Sequence, residues 1–266
     1  MKEFNTKNKA SLLTTHPWLL AGGAFETMRS YNGRIFRLDE HLERLYASCK
    51  TLSINLNEKP RGIKSLIKKE FAASKLKDAS IRLSIDLDKK IDVIVKKINK
   101  YPEEYYKNGV KIATVAVRRN ISVALEPRIK SSDFLWGVMA KLEPNKEGIF
   151  EQLILNHDGF LSECTVSNIF IVKNNILFTP ALSSGILSGI TRQFVINLSD
   201  RLRIDTKETL LTRHDLYNAD EVFLTNTSIE IMPVVEADKR IIGTGKPGKT
   251  TKQLLKMFRE ETKSNG

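Results

Sequence analysis

Cysteine is nearly absent from this sequence. Two occur in 266 residues, Cys49 and Cys164, with no C-x-x-C pair. Histidine is also sparse, with four residues scattered at 16, 41, 157 and 214. Neither supply has the ligand spacing of a zinc site, and two distant thiols make no disulfide framework, so no metal is expected. No apolar run approaches the roughly 20 residues of a spanning helix, which predicts no membrane partner. The first residues, MKEFNTKNKASLL, carry charge but no hydrophobic segment and no small-residue cleavage site. That pattern predicts a chain without a signal peptide, located in the cytoplasm. Acidic residues are also in deficit, 31 against 43 Lys+Arg, for a formal net charge of +12. The lysines are spread along the chain, with no RNP-like motif, zinc finger or aromatic-plus-basic ladder, so no nucleic-acid partner is expected. Such a surface still favours anionic substrates and cofactors. The remaining composition, 41 % apolar and 28 % charged, is that of a globular protein with a sizeable core.

Residues 20–36 read as two strands joined through Asn32-Gly33, the strongest short hairpin signal. Asp39 is placed to cap a helix, and Leu42, Leu45, Tyr46, Cys49 and Leu52 share one face at helical spacing. Ile63, Leu66, Ile67 and Phe71 predict a second helix. Ile81, Leu83, Ile85 and Leu87 alternate with polar residues, as in a half-buried strand, with residues 91–95 as its partner. Residues 101–109 read as a polar connection before a strand at 110–117. The stretch 126–143 is expected to be helical. Strands follow at 152–156, 168–172, 176–178 and 222–224, with helices at 189–202 and 250–258. Strands and helices mix without regular βαβ alternation, which predicts an α+β fold in two parts. A change of texture near Arg118 divides the chain into a small N-terminal α/β domain, 1–118, and a larger C-terminal domain, 119–266.

Residues 243–250, GTGKPGKT, satisfy the phosphate-loop pattern G-x-x-x-x-G-K-[ST]. A nucleotide-binding protein using this loop is the reading from outside the enzyme class. Against it, later strands would have to supply a magnesium-binding Asp, and little chain follows Thr250. Pro247 also removes one backbone N–H that a phosphate could use. The motif is expected to be a Gly/Pro-rich turn before a last helix.

Four other stretches carry chemistry. In HLERL, Arg44 lies beside the apolar helix face, where a planar guanidinium could turn onto a phosphate. In LSECTVSNIF, Glu163 stands at the mouth of an apolar strand, and a buried carboxylate needs a partner. In GILSGITRQFV, Gly189 precedes Ile190 and Thr191 at a helix start, where free N–H groups and the helix dipole form an anion site. In ADEVFLTNTSIEIMPV, a strand runs out into Thr225-Asn226-Thr227-Ser228, a cluster of hydroxyl and amide donors.

Together with GAFETMRSYNGRIFRLDEHLERL and IKSSDFLWGVMA, these stretches resemble, in order and over about Gly22–Val235, the fold-type IV (class IV) pyridoxal-phosphate enzymes. That family includes the branched-chain and D-amino-acid aminotransferases and aminodeoxychorismate lyase. The resemblance implies a small N-terminal and a larger C-terminal domain with the cofactor, pyridoxal 5′-phosphate, in the cleft between them, and a homodimer. It implies that Lys130 holds the cofactor as an internal Schiff base and shuttles a proton at the substrate Cα. Desolvation would help that amine spend part of its cycle neutral. It also implies that Glu163 pairs with the pyridine nitrogen, and that Arg44, Gly189, Ile190, Thr191 and Thr227 bind the phosphate. Phe25, Arg29, Arg82 and Ser228 are expected on the substrate side. The family often continues after its lysine as Ser/Thr-x-Asn-Tyr-Leu, whereas this chain has Asp133 and Phe134, so the hydroxyl that commonly meets the cofactor's ring oxygen is missing.

The same cofactor chemistry serves transamination and elimination, so the substrate pocket decides between them. The expected activity is amino transfer from a branched-chain or similarly apolar L-amino acid to 2-oxoglutarate, with small amino and 2-oxo acids as the only partners besides the second subunit. Aminodeoxychorismate lyase is the nearest alternative, and D-amino-acid transamination a further one.

Overall fold

The computed structural model describes residues 22–121, 125–143 and 148–264. The N-terminal stretch, and with it the signal-peptide reading, lies outside the described residues. Among these, the strands form one four-stranded and one nine-stranded sheet. The chain's contacts divide it into two compact units. The first takes the chain up to Lys97 together with Ile129–Phe134, and the second takes Ile98–Arg128 and the chain from Leu135 on. The expected boundary at 118/119 therefore falls elsewhere.

The first unit opens with β1 (Gly23–Tyr31), which turns through Asn32 and Gly33, both at positive φ, into β2 (Arg34–Ile35). The hairpin is where the Asn-Gly pair predicts it. Helix α1 (Leu38–Thr51) and helix α2 (Pro60–Ala73) follow, then β3 (Ala79–Asp86) and β4 (Ile91–Lys97). The sheet order is β2-β1-β3-β4, and each of its strand pairs is antiparallel. Its core packs Ala24 and Met28 of β1 and Ile81, Leu83 and Ile85 of β3 against Leu42, Leu45 and Cys49 of α1 and Ile63, Ile67 and Phe71 of α2. The Leu, Ile, Met and Phe side chains among them each contribute about 1.5–3 kcal/mol by leaving water, which outweighs the weak helix propensity of any single position. Asp39 does not cap α1. The N-cap is Arg37 in a left-handed conformation, and Asp39 sits in the first turn, where it accepts from Lys64 Nζ at 2.6 Å.

The second unit begins with the short helix α3 (Glu103–Asn108), inside a stretch expected to be a polar connection, and β5 (Val110–Arg118). β5 lies between two strands of the large sheet, which is why the boundary cannot fall after it. Helix α4 covers only Leu135–Leu142, not the whole of 126–143. The residues before it are drawn out of the helix because their backbone finds partners on β1. Lys130 C=O accepts from Phe25 N at 3.0 Å, and Ser132 N donates to Gly23 O at 3.0 Å.

β6 (Glu151–Leu155), β7 (Leu161–Cys164), β8 (Asn168–Lys173) and β9 (Ile176–Pro180) come next. They lead to helix α5 (Ile190–Arg201), β10 (Thr206–Thr209) and the single-turn helix α6 (Arg213–Tyr217). β11 (Glu221–Asn226), β12 (Glu230–Ala237), β13 (Arg240–Ile241) and helix α7 (Lys249–Ser264) complete the unit. The order is β10-β9-β8-β11-β12-β5-β6-β7, with β13 paired to β12. β6, β8 and β11 bury almost every residue, because this sheet is covered on both faces. The sheet curls until β7, at its end, joins β8 through residues 165–167, and this turn brings Glu163 and Asn168 together. No described helix is long and apolar enough to cross a membrane.

Candidate active site

In the first unit, strand alternation sorts the candidates. Register pairs Phe25 with Ser84, Thr27 with Arg82 and Arg29 with Ser80, so Phe25, Arg29 and Arg82 share one face of the sheet. An isolated antiparallel bridge pairs Ala24 with Ser131. Lys130 therefore stands opposite Phe25 and on its face. Its Nζ lies 4.7 Å from the Phe25 ring centroid, and Arg82 Cζ lies 3.9 Å from the same ring. Arg29 is buried and its guanidinium lies 4.4 Å from the Tyr31 ring centroid. The Lys130 backbone is pinned from the helix side, its N–H donating to Ser48 Oγ at 3.2 Å. Phe134 is half-buried and Asp133 exposed.

The other face of β1 carries Glu26, fully buried between Ala24 and Met28. Arg44 forks onto it, Nε to Oε1 and Nη2 to Oε2, both at 2.7 Å, and His41 Nδ1 lies 2.7 Å from Oε2. Burial alone would raise the Glu26 pKa, but the Arg44 charge and the Arg44 and His41 hydrogen bonds outweigh it and hold the carboxyl at about 2. Burial pushes the His41 pKa down, so the imidazole is neutral at neutral pH and donates from Nδ1 to the ionised carboxylate. Sequence reasoning passes over Glu26. A charged residue at an inward strand position is the available signal, since it demands a partner.

In the second unit, Glu163 lies buried on β7. Its Oε2 accepts from Leu187 N at 3.0 Å and Asn168 Nδ2 at 3.4 Å, and Oε1 lies 3.4 Å from Arg119 Nη2. Arg119, expected to lie in a domain link, is 9 % exposed, donates from Nε to Gly185 O at 2.9 Å and stacks 4.1 Å from a Trp136 ring centroid. No sequence signal separates it from Arg118 beside it.

Gly189 is the N-cap of α5, with no side-chain cap. A Cβ there would stand 2.1 Å from Asn168 Oδ1, so only glycine lets Asn168 lie against the helix start. Ile190 and Thr191 follow in the first turn, with Thr191 buried. Directly across β8 and β11, Asn168 pairs with Thr225, whose hydroxyl is buried with no hydrogen-bond partner among the described residues. Thr227 and Ser228 occupy the turn after β11. Asn226 Oδ1 accepts from Ser228 N at 2.7 Å and Ile229 N at 3.0 Å, while its Nδ2 donates to Ser167 Oγ at 2.9 Å. Ser167 in turn donates to Glu151, a buried carboxylate that also accepts from Val166 N at 2.6 Å and Thr165 Oγ1 at 3.2 Å. Burial raises the Glu151 pKa against these three donors.

The phosphate-loop pattern is already answered within the chain. Glu221 receives Thr250 N at 2.9 Å and Thr251 N and Oγ1 at 2.7 Å each. A carboxylate of the protein caps α7 where a nucleotide phosphate would sit, and the nucleotide-binding reading falls with it. Among the described residues, no group of three or more His, Cys, Asp or Glu could hold a metal ion. Both cysteines are free and buried.

Each unit, taken by itself, carries groups that suit a part of one kind of cofactor. A lysine amine beside an aromatic ring suits an aldehyde, and a buried carboxylate suits a protonated ring nitrogen. A glycine-headed helix start beside an unsatisfied threonine hydroxyl suits a phosphate. These are the requirements of a fold-type IV pyridoxal-phosphate enzyme. The family model described as Amino-transferase class IV matches residues 23–237. A Methanocaldococcus jannaschii protein provisionally described as a branched-chain-amino-acid aminotransferase is 38 % identical over 257 residues, covering 92 % of this chain and 88 % of that one. A D-alanine aminotransferase of Bacillus licheniformis is 33 % identical, covering 87 % and 84 %. The crystal structure of the branched-chain aminotransferase of Thermoproteus uzoniensis with norvaline superposes with a TM-score of 0.84 at 30 % identity, covering 95 % and 88 %. The chain belongs to the class IV aminotransferases, and it is a pyridoxal-phosphate-dependent transaminase.

Proposed function

We propose that this enzyme moves the amino group of a branched-chain or similarly apolar L-amino acid to 2-oxoglutarate. The observation that carries the reading is the Lys130 amine standing 4.7 Å from the Phe25 ring centroid, with Arg82 beside the same ring. An apolar surface and a cation next to the reacting amine suit an apolar side chain and a carboxylate. The branched-chain names of the Methanocaldococcus jannaschii and Thermoproteus uzoniensis proteins support it.

Bound pyridoxal phosphate supplies an aldehyde for the amino group and an electron sink for the substrate carbanion. Lys130 Nζ would hold the cofactor's aldehyde and would move the proton at the substrate Cα. Glu163 would pair with the ring nitrogen, and Arg119 and Leu187 N hold that carboxylate in place. Arg44, the first-turn N–H groups of Ile190 and Thr191 behind Gly189, and the Thr227 hydroxyl bind the phosphate. Phe25, Arg29, Arg82 and Ser228 meet the substrate. The enzyme works as a cytoplasmic homodimer of two-domain subunits, which light scattering of the purified full chain tests.

The likeness to the Bacillus licheniformis protein favours one second reading, transfer from D-alanine. A half-reaction screen separates the two. Spectral conversion of the loaded enzyme by L-leucine, L-isoleucine or L-valine, reversed by 2-oxoglutarate, is the expected result. Conversion by D-alanine alone would replace the proposal with the second reading, and pyruvate release from aminodeoxychorismate would overturn both.

A further inference from the structure

A lysine amine hangs on a flexible four-carbon stem, so it is only as well placed as the backbone that carries it. The backbone has two soft dihedrals per residue, and holding the planar peptides on both sides of a Cα fixes them. Both peptides beside Lys130 are held within the first unit. The Lys130 C=O accepts from Phe25 N at 3.0 Å, and Ser132 N donates to Gly23 O at 3.0 Å, so β1 holds the following peptide. The preceding peptide is held from α1, where Ser48 Oγ accepts from Lys130 N at 3.2 Å. Ser48 is buried at 2 % exposure. A serine gains little from such burial and is a poorer helix former than alanine, so its hydroxyl is the reason for its place.

The helix that carries Ser48 is itself tied to β1. His41 and Arg44 precede Ser48 on the same face of α1, and both bind Glu26 of β1 at 2.7 Å. Strand and helix therefore form one frame with Lys130 anchored to each. We propose that Ser48 is a positioning residue for the reaction: by accepting the Lys130 N–H it fixes the direction in which the lysine leaves the chain, and with it the place of the amine beside the Phe25 ring. This rests on the reading that Lys130 bonds the cofactor. The gain is geometric, since a misplacement of about 1 Å can cost on the order of 10²-fold in rate. A serine that only filled space in α1 would leave the amine where it is.

The two roles separate in a comparison of the aldehyde and amine forms of the cofactor. Pyridoxal 5′-phosphate bonds to the lysine, whose amine adds to the aldehyde carbon with loss of water. Pyridoxamine 5′-phosphate has no aldehyde and binds through its other contacts alone. The full-length chain, freed of cofactor, is mixed with each form as wild type and as Ser48→Ala, following absorbance for the aldehyde and calorimetry for the amine. Alanine keeps the helix, being its best former. The expected result is condensation with saturating pyridoxal 5′-phosphate slowed by about tenfold or more, with affinity for pyridoxamine 5′-phosphate within about twofold of wild type. Borohydride reduction and peptide mapping locate the bonded lysine in both proteins. Trapping on Lys130 together with condensation of Ser48→Ala at the wild-type rate would overturn the proposal and leave Lys130 in place. Trapping of wild type on another lysine would sink the reading of Lys130, and the proposal with it. Equal losses for both forms would mean that Ser48 serves folding only, which also overturns the proposal.

Discussion

The Ser167 hydroxyl donates to the Glu151 carboxylate at 2.6 Å. Through this bond the turn that follows Glu163 is tied to β6, and through Asn226, which donates to the same hydroxyl at 2.9 Å, to the turn carrying Thr227 and Ser228. Direction is set throughout. The carboxylate accepts from the serine, the serine accepts from the amide, and the amide oxygen accepts the backbone N–H groups of Ser228 and Ile229. Truncating Glu151 to Ala leaves Val166 N, Thr165 Oγ1 and Ser167 Oγ without their acceptor. A cost of about 1–3 kcal/mol per stranded donor is the relevant scale, and urea denaturation should show a loss at the upper end of it. Weaker cofactor binding should accompany the loss, measured by absorbance titration.

Lys130→Ala should lower the rate of amino transfer by at least about 10²–10⁴-fold, the usual contribution of a positioned proton carrier. Borohydride treatment followed by peptide mass analysis should find the cofactor mass on the Lys130 peptide in wild type. Trapping at another lysine would refute the assignment.

Acid should reveal Glu26. Its folded-state pKa of about 2 lies below the ordinary value of 4.5. Its stabilisation is therefore complete above the unfolded value and is lost as the pH falls from 4.5 toward 2. At about 1.4 kcal/mol per unit, the amount at stake is about 3 kcal/mol. Glu26→Gln should be less stable than wild type at neutral pH and should lack this acid-dependent part, as seen in denaturation curves across the range.

Gly189→Ala places a methyl group 2.1 Å from Asn168 Oδ1. Since Asn168 also binds Leu187 O and Glu163, the strain passes to the carboxylate. A loss of about 1–3 kcal/mol is expected, with a spectral change in the bound cofactor as the diagnostic readout.

Glu221→Ala removes the acceptor at the start of α7. Thermal denaturation should register about 0.5–2 kcal/mol, the range for a lost helix cap. Equilibrium dialysis should find no ATP bound before or after the change. ATP bound by wild type and lost on Lys249→Ala would restore the phosphate-loop reading.

Much of this protein is determined by local pattern. Period-two alternation marks β3, helical spacing marks α1 and α2, and Asn32-Gly33 marks the first hairpin, because each is a property of residues two to four apart. The Gly189 helix start is legible for the same reason, and five segments in order carry the family, whereas the short strand β7 that holds Glu163 is not, since the sequence places that carboxylate ahead of the strand at 168–172. Other features depended on partners far along the chain. Residues 129–134 left their expected helix because β1 offered backbone partners about a hundred residues away, so Lys130 came to stand over Phe25. Glu26 found its partners only when α1 laid His41 and Arg44 across β1. Arg119 became a partner of Glu163 because β6, whose Leu155 O accepts from Arg119 N, lies between β5 and β7 in the large sheet. Glu221 closed the phosphate-loop pattern by reaching α7 from the start of β11. Sequence specifies which residues can form strands, helices and turns. Which charge meets which is decided by register and sheet curvature, since a buried charge must find its counterpart wherever the fold places one.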